Sequence, residues 1–150
     1  MATRRPDPGP RIPSGRAGPI IQATKLQPPR WRASSVRRPR LTGLLRASRP
    51  ALTLIVAPPG FGKTSLLADW AGIDGRPFAW VTVEPEDNDQ AVLWSSIGAA
   101  LGTALGGDGE VADRLAASAR DPDPAAAVAR ILESLPDEVV LVLDDAFRLR

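Results

Sequence analysis

A glycine-rich stretch contains the residues best suited to chemistry in this chain. The stretch "APPGFGKTS", residues 57–65, places Gly60 and Gly62 just before Lys63 and Thr64. Glycines let a backbone turn so that amide NH groups converge on phosphate oxygens, at a helix N-terminus that carries about half a positive charge. A lysine at this place reaches the β and γ phosphates, and the next hydroxyl ligates Mg²⁺, which prefers oxygen. The pattern therefore predicts a phosphate-binding loop.

The loop departs from the full pattern G-x-x-x-x-G-K-[ST] at two places. Ala57 stands where the first glycine belongs, and Pro59 has no amide hydrogen to offer a phosphate. A chance Gly-Lys-Thr turn before a helix is the alternative. We favour the nucleotide interpretation, because an apolar run precedes the loop and helical spacing follows it. The predicted contacts then include Phe61 and Ser65, although Ser65 is one position late for the metal.

A second candidate site follows the apolar run "VVLVL", where the chain continues with Asp144 and Asp145. In phosphoryl-transfer sites a carboxylate at a neighbouring strand end orients Mg²⁺, usually through water. We predict Asp144 in that metal role, together with Thr64. For Asp145 two interpretations stay open, one as the group that polarises an attacking water and one as a helix cap or solvated loop acid. The predicted catalytic set is Lys63, Asp144 and Asp145.

These residues require a parallel sheet to position them. The run "ALTLIVA" at 51–57 is short and continuously apolar, which predicts a strand buried on both faces. Further strands are predicted at 75–83 and 138–145. Helices are predicted around Leu41 to Leu45, from Ser65 to about residue 72, after an N-cap at Asp89, and at 110–119 and 124–135. The alternation predicts an α/β fold of the P-loop NTPase type, with helices flanking the sheet and no further strand after the acidic one.

Two groups of side chains are predicted to be structural. The acids of "EPEDND", residues 84–89, resemble a metal cluster, but acidic loops after strands are usually solvated. Trp80 and Trp94 lie in apolar, periodic segments, and we expect them in the core rather than stacked on a ligand. Neither group is therefore assigned to the site.

Composition separates the chain into two parts. Residues 1–50 carry 12 Lys and Arg against one acid, whereas the remainder carries 7 against 16. Residues 1–23 are rich in Pro, Gly and Arg without apolar periodicity, which predicts a disordered extension before a domain at 24–150. Cys and His are absent, so any metal must be held by oxygen. No run approaches the roughly 18 apolar residues of a membrane span, and we expect a cytoplasmic protein.

The order of the motifs resembles a known family. "TKLQPPR", "APPGFGKTSLLADW", "FAWVTVEPEDND" followed by "LW", and "LVLDD" are similar to the N-terminal ATPase domain of MalT-like, LuxR-type large transcriptional regulators, which are STAND ATPases. The resemblance covers residues 24–150. It implies ATP rather than GTP, with Mg²⁺, slow hydrolysis in the full-length protein, nucleotide-dependent self-association, and an adenine pocket near Val36 and Arg37. DNA would be bound only by a C-terminal helix-turn-helix, which is absent from this chain, so the sequence looks like a fragment.

Two other functions compete with this interpretation. A P-loop kinase for a small molecule would need an acceptor pocket and an arginine-rich lid segment, and no such segment is evident. A non-enzyme with a nucleic-acid-binding arm at residues 1–49 is the other rival. Its clustered arginines, interrupted by Trp31, permit phosphate contacts but show no base-reading pattern.

Overall fold

The protein is described here from a computed structural model, which places residues 21–29, 36–48, 51–107, 109–135 and 138–150. Of the extension predicted at 1–23, residues 1–20 lie outside the described residues. Short 3-10 turns form at Ala23–Leu26, Pro85–Asn88 and Ala146–Arg148. The longer elements are α1 (Pro39–Ser48), α2 (Lys63–Ile73), β1 (Phe78–Thr82), α3 (Gln90–Leu105), α4 (Glu110–Ser118), α5 (Pro124–Glu133) and β2 (Val140–Asp144).

The centre of the fold is the parallel pair of β1 and β2. Phe78 is opposite Val140 at one end, and Thr82 is opposite Asp144 at the other. Consecutive residues of β1 are fully buried, as expected for a strand covered on both faces. The core cluster combines apolar side chains of β1 with side chains of α3, α4 and α5: Ala79, Val81, Ile97, Ala100, Leu101, Leu115, Val128 and Ile131. This core confirms the predicted α/β class, while the P-loop NTPase type stays a prediction. The strand β2 ends at Asp144.

The prediction of a strand at 51–57 is wrong. The segment does not form a strand, and Leu52, Leu54 and Val56 are each more than 80% exposed. A strand buried on both faces needs neighbours that share its hydrogen bonds and cover its side chains. Among the described residues the two strands pair with each other, so this segment has no such neighbour.

The helices agree with the sequence pattern, with small shifts at their ends. The helix α2 begins at Lys63, two residues earlier than predicted, because Gly62 already serves as its N-cap. Asp89 caps α3 as predicted, and its carboxylate accepts from the amides of Ala91 and Val92. Trp80 is fully buried, as expected. No helix in the described ranges is long and apolar enough to cross a membrane.

The contact between α3 and α4 depends on a glycine. A Cβ added at Gly98 would lie 2.3 Å from the backbone Cα of Ala112, whereas one at Gly102, a turn further along α3, would meet nothing within 4 Å. Gly98→Ala should therefore lower the free energy of unfolding by about 1–3 kcal/mol through overpacking. Gly102→Ala should raise it by up to about 1 kcal/mol through helix propensity. Urea unfolding of both variants checks this, and equal effects would contradict the close approach of α4.

Candidate nucleotide-binding site

Both glycines of the glycine-rich loop adopt a left-handed backbone conformation. Gly60 has φ of 80° and Gly62 has φ of 79°, in the left-handed region that residues with a Cβ rarely adopt. Gly62 then caps α2, and its carbonyl accepts the amide of Leu66 at 2.9 Å. The first amides of a helix have no carbonyl partner within it. The loop therefore leads into a helix N-terminus whose dipole favours an anion.

Lys63 folds back over the loop. Its Nζ donates to the carbonyl of Ala57 at 2.8 Å and to that of Pro58 at 3.3 Å. The Phe61 amide bonds to the same Pro58 carbonyl at 3.4 Å, while the Phe61 ring is exposed. Thus the ammonium lies against the loop backbone, with weak neutral acceptors as its partners.

The two predicted metal residues lie together. Thr64, in the first turn of α2, donates from Oγ1 to Oδ1 of Asp144 at 3.0 Å, although 80 residues separate them. Asp144 is buried at the end of β2. This bond joins the loop's helix to the acidic end of the strand, which is the arrangement that a shared site requires.

The carboxyl of Asp144 is in a setting that disfavours its charge. Burial, first of all, raises the pKa of Asp144 above its usual range, and the neighbouring carboxylate of Asp145 adds to the rise. The hydroxyl of Thr64, the amide of Asp145 and the charge of Lys63 act in the opposite direction but do not offset burial. A cation placed beside Asp144 would favour the charged form of this carboxyl and lower its pKa.

The chemistry of this donor set fits Mg²⁺. Among the described residues no group of three or more His, Cys, Asp or Glu side chains forms a closed metal site. The hydroxyl of Thr64 and the carboxylate of Asp144 are both hard oxygen donors. Mg²⁺ is commonly held by one or two protein oxygens, with phosphate oxygens and water completing the octahedron. The pair matches that kind of open site.

Asp145 begins the turn after β2. It has φ of 57°, a left-handed conformation that Asp tolerates better than most residues. Its Oδ2 lies 3.7 Å from the Arg148 guanidinium, and both side chains are partly exposed. The structure therefore places Asp145 beside the site with a basic partner of its own, and both predicted roles remain predictions.

The segment before α1 meets the loop through a residue that sequence reasoning missed. Val36 is 75% exposed, and Arg37 lies with its Nε 3.9 Å from Oδ1 of Asp69 on α2. Arg38 instead donates from a guanidinium nitrogen to the carbonyl of Phe61 at 2.9 Å. The cluster "RRPR" was the available signal, but it did not show which arginine faces the loop.

The expectation of solvated acids at 84–89 is wrong for Asp87. Asp87 is fully buried and accepts from Lys25 Nζ at 2.7 and 2.6 Å, from the Ser96 hydroxyl at 3.2 Å and from the Glu84 amide at 2.8 Å. The carboxylate can be buried because the turn Ala23–Leu26 places the Lys25 ammonium beside it. Asp87 is therefore one partner of a buried ion pair and not a metal ligand.

The loop, the helix after it and the acidic strand end are compatible with the P-loop class of nucleotide-binding folds. The chain is 42% identical to the serine/threonine-protein kinase PknK of Mycobacterium tuberculosis over 83 residues, 53% of this chain and 8% of that kinase. It is 34% identical to the HTH-type transcriptional regulator MalT of Yersinia pestis over 88 residues, 59% of this chain and 10% of that regulator.

These similarities are partial. The chain spans about a tenth or less of the length of these curated relatives. No protein-family model matches the chain, and no solved structure matches it. The similarity thus concerns one segment of much larger proteins.

Proposed function

We propose that this chain is an ATP·Mg²⁺-binding switch module of a larger, LuxR-type transcriptional regulator of the STAND class. The observation that carries the proposal is the bond between Thr64 and Asp144, which assembles the two predicted metal residues at the N-terminus of α2. The similarity to MalT supports a regulator, and the similarity to PknK supports a module that larger proteins share.

Each residue of the site has a distinct task in this proposal. The amides of the loop and of the first turn of α2 hold the phosphates, helped by the helix dipole. Lys63 exchanges the carbonyls of Ala57 and Pro58 for phosphate oxygens, which are stronger acceptors because they are charged. Thr64 and Asp144 hold Mg²⁺, which supplies charge neutralisation between phosphates when bound.

The nucleotide acts by favouring one conformation. A ligand shifts an equilibrium only as far as its affinities for the two conformations differ, so turnover need not be fast. In the full-length regulator, ATP would favour a self-associating state and slow hydrolysis would end it. DNA contact would come from a helix-turn-helix outside this chain.

Magnesium dependence tests the proposal. ATP is titrated into the whole chain by calorimetry, with Mg²⁺ or with EDTA, and into Thr64→Val and Asp144→Asn. We expect Mg²⁺ to tighten binding by about tenfold or more in the unmodified chain, equivalent to about 1.4 kcal/mol. Both variants should lose that gain while retaining the affinity measured in EDTA.

The control for this experiment is Thr103→Val on α3. The Thr103 hydroxyl donates within its own helix, to the Ala99 carbonyl at 2.8 Å, so its loss should leave the Mg²⁺ effect unchanged. Asp144→Asn keeps an oxygen that accepts from Thr64 and from the Asp145 amide, and the fold should persist. An unaltered Mg²⁺ effect in both site variants would refute the assigned metal role.

A further inference from the structure

The Arg38 side chain lies against the loop at the entrance to α2. One guanidinium nitrogen is 2.9 Å from the carbonyl of Phe61, and the same nitrogen is 3.6 Å from the position of a Cβ built on Gly62. Phe61 and Gly62 are the last residues before the helix N-terminus. Arg38 therefore lies where the loop turns into α2, and it is exposed to solvent.

The backbone of Arg38 is held by the first turn of α1. The Arg38 carbonyl accepts hydrogen bonds from the amides of Leu41 at 2.9 Å and Thr42 at 3.1 Å in that turn, and Thr42 is buried. Pro39, the first residue of α1, fixes its own φ and restricts the residue before it. Because α1 packs against α2, the backbone of Arg38 is held beside the loop.

The bond to Phe61 uses only part of the hydrogen-bonding capacity of the Arg38 guanidinium. Arginine carries five NH donors in a planar fork whose geometry matches phosphate oxygens, and its charge persists at every accessible pH. A neutral carbonyl is a weaker acceptor than a phosphate oxygen. An anion held by the loop would therefore attract the remaining donors.

The loop also lacks donors that its pattern normally supplies. Pro59 offers no amide hydrogen, so one backbone contact to phosphate is lost. A cation reaching the loop from another segment would offset that loss. Lys63 and Arg38 both contact carbonyls of residues 57–61, so two positive charges lie against the same short loop.

We propose that Arg38 is a second phosphate-binding cation of this site, delivered from outside the loop, and that its bond to the nucleotide fixes α1 against the loop. The proposal rests on the nucleotide-binding function proposed above and assigns Arg38 to the phosphates, not to the base. The nucleotide would then join two segments, residues 36–48 and residues 57–73, that are separate in sequence.

The test measures binding of ATP and of inorganic tripolyphosphate to the whole chain and to Arg38 variants. Arg38→Ala and Arg38→Gln should weaken both ligands by about tenfold or more, the loss expected for a hydrogen bond to a charged group. Arg38→Lys should recover part of the affinity, because it restores the charge without the fork. Arg46→Ala, at the other end of α1, should stay within about twofold of the unmodified chain.

Arg38→Gln separates a phosphate contact from a structural one. Glutamine keeps an NH donor for the Phe61 carbonyl, so a purely structural role would leave its affinity and its thermal unfolding unchanged. Full affinity in Arg38→Gln, with binding lost in Lys63→Ala, would overturn this inference and leave the nucleotide function standing. A loss for ATP without a loss for tripolyphosphate would also overturn it. Absence of ATP binding by the folded, unmodified chain would overturn both proposals.

Discussion

Replacing Lys25 with methionine should lower the free energy of unfolding by about 3–5 kcal/mol, the usual cost of removing one partner of a buried ion pair. Lys25 is 6% exposed and Asp87 is 0% exposed at their side chains, and the ammonium lies 2.7 and 2.6 Å from the two carboxylate oxygens. Within the described ranges, the donors that the variant would leave to Asp87 are the Ser96 hydroxyl and the Glu84 amide. Urea unfolding at neutral pH measures the change.

A surface pair provides the matched control. Arg148 and Asp145 are 3.7 Å apart, with side chains 43% and 33% exposed, so Arg148→Met should cost less than about 1 kcal/mol. Adding Asp87→Leu to Lys25→Met should restore part of the lost stability, because it removes the uncompensated charge. Equal losses for Lys25→Met and Arg148→Met would contradict the burial of this pair.

The ion pair matters for the site because it connects distant segments. Lys25 belongs to the turn Ala23–Leu26, and Asp87 belongs to the turn Pro85–Asn88 that follows β1 and precedes α3. Their bond thus attaches the N-terminal turn to the sheet whose other strand ends at Asp144. Loss of the pair should weaken nucleotide binding only through the fold, with the Mg²⁺ dependence retained.

Lys63→Ala should weaken ATP binding by about a hundredfold, which corresponds to roughly 2.7 kcal/mol and to the loss of charged hydrogen bonds to phosphate. Among the described residues, the Lys63 ammonium donates to the loop carbonyls of Ala57 and Pro58, at 2.8 and 3.3 Å, which are weak neutral acceptors, so the variant should unfold at nearly the same temperature. Calorimetry with ATP and Mg²⁺ measures the first effect, and thermal unfolding measures the second. Arg46→Ala controls for the removal of one exposed positive charge.

The result that would contradict the assigned role of Lys63 is specific. If Lys63→Ala bound ATP as the unmodified chain does, the phosphates could not depend on this ammonium. If it lost ATP binding and also unfolded at a much lower temperature, the double variant with Gly102→Ala would show whether restored stability restores affinity. Restored affinity would then contradict a direct contact.

Local sequence signals predicted the elements that depend on neighbouring residues. The glycines at 60 and 62 adopt positive φ and Asp89 caps α3, each through interactions within a few residues of the signal. The strand β2 ends at Asp144 as its apolar run predicts, although its partner β1 lies far away in the sequence. The apolar run at 51–57 failed as a strand because strand formation depends on a partner that composition does not reveal. Its backbone would be paired only if another strand lay beside it, and its side chains would be buried only if helices covered both faces.

The motif order did predict the long-range pair of Thr64 and Asp144, but two other contacts between distant segments were not revealed by the sequence. Lys25 and Asp87 are 62 residues apart, and the acids around Asp87 have the composition of a solvated loop. Arg37 and Arg38 are adjacent and chemically identical, yet Arg38 donates to the loop carbonyl of Phe61 whereas Arg37 lies near Asp69 on α2. Which acid is buried and which arginine contacts the loop depend on tertiary geometry. Neither the sequence pattern nor residue propensity distinguishes Asp87 from its neighbouring acids, or Arg38 from Arg37.

Calorimetric titration of the whole chain with ATP in Mg²⁺, compared with GTP in Mg²⁺ and with ATP in EDTA, measures the proposed nucleotide site itself. We expect saturable binding of ATP at one site, weaker binding of GTP, and a clear loss of affinity when Mg²⁺ is removed. A chain shown to be folded by its thermal unfolding, yet without measurable heat of binding for ATP, would contradict the proposed nucleotide-binding function.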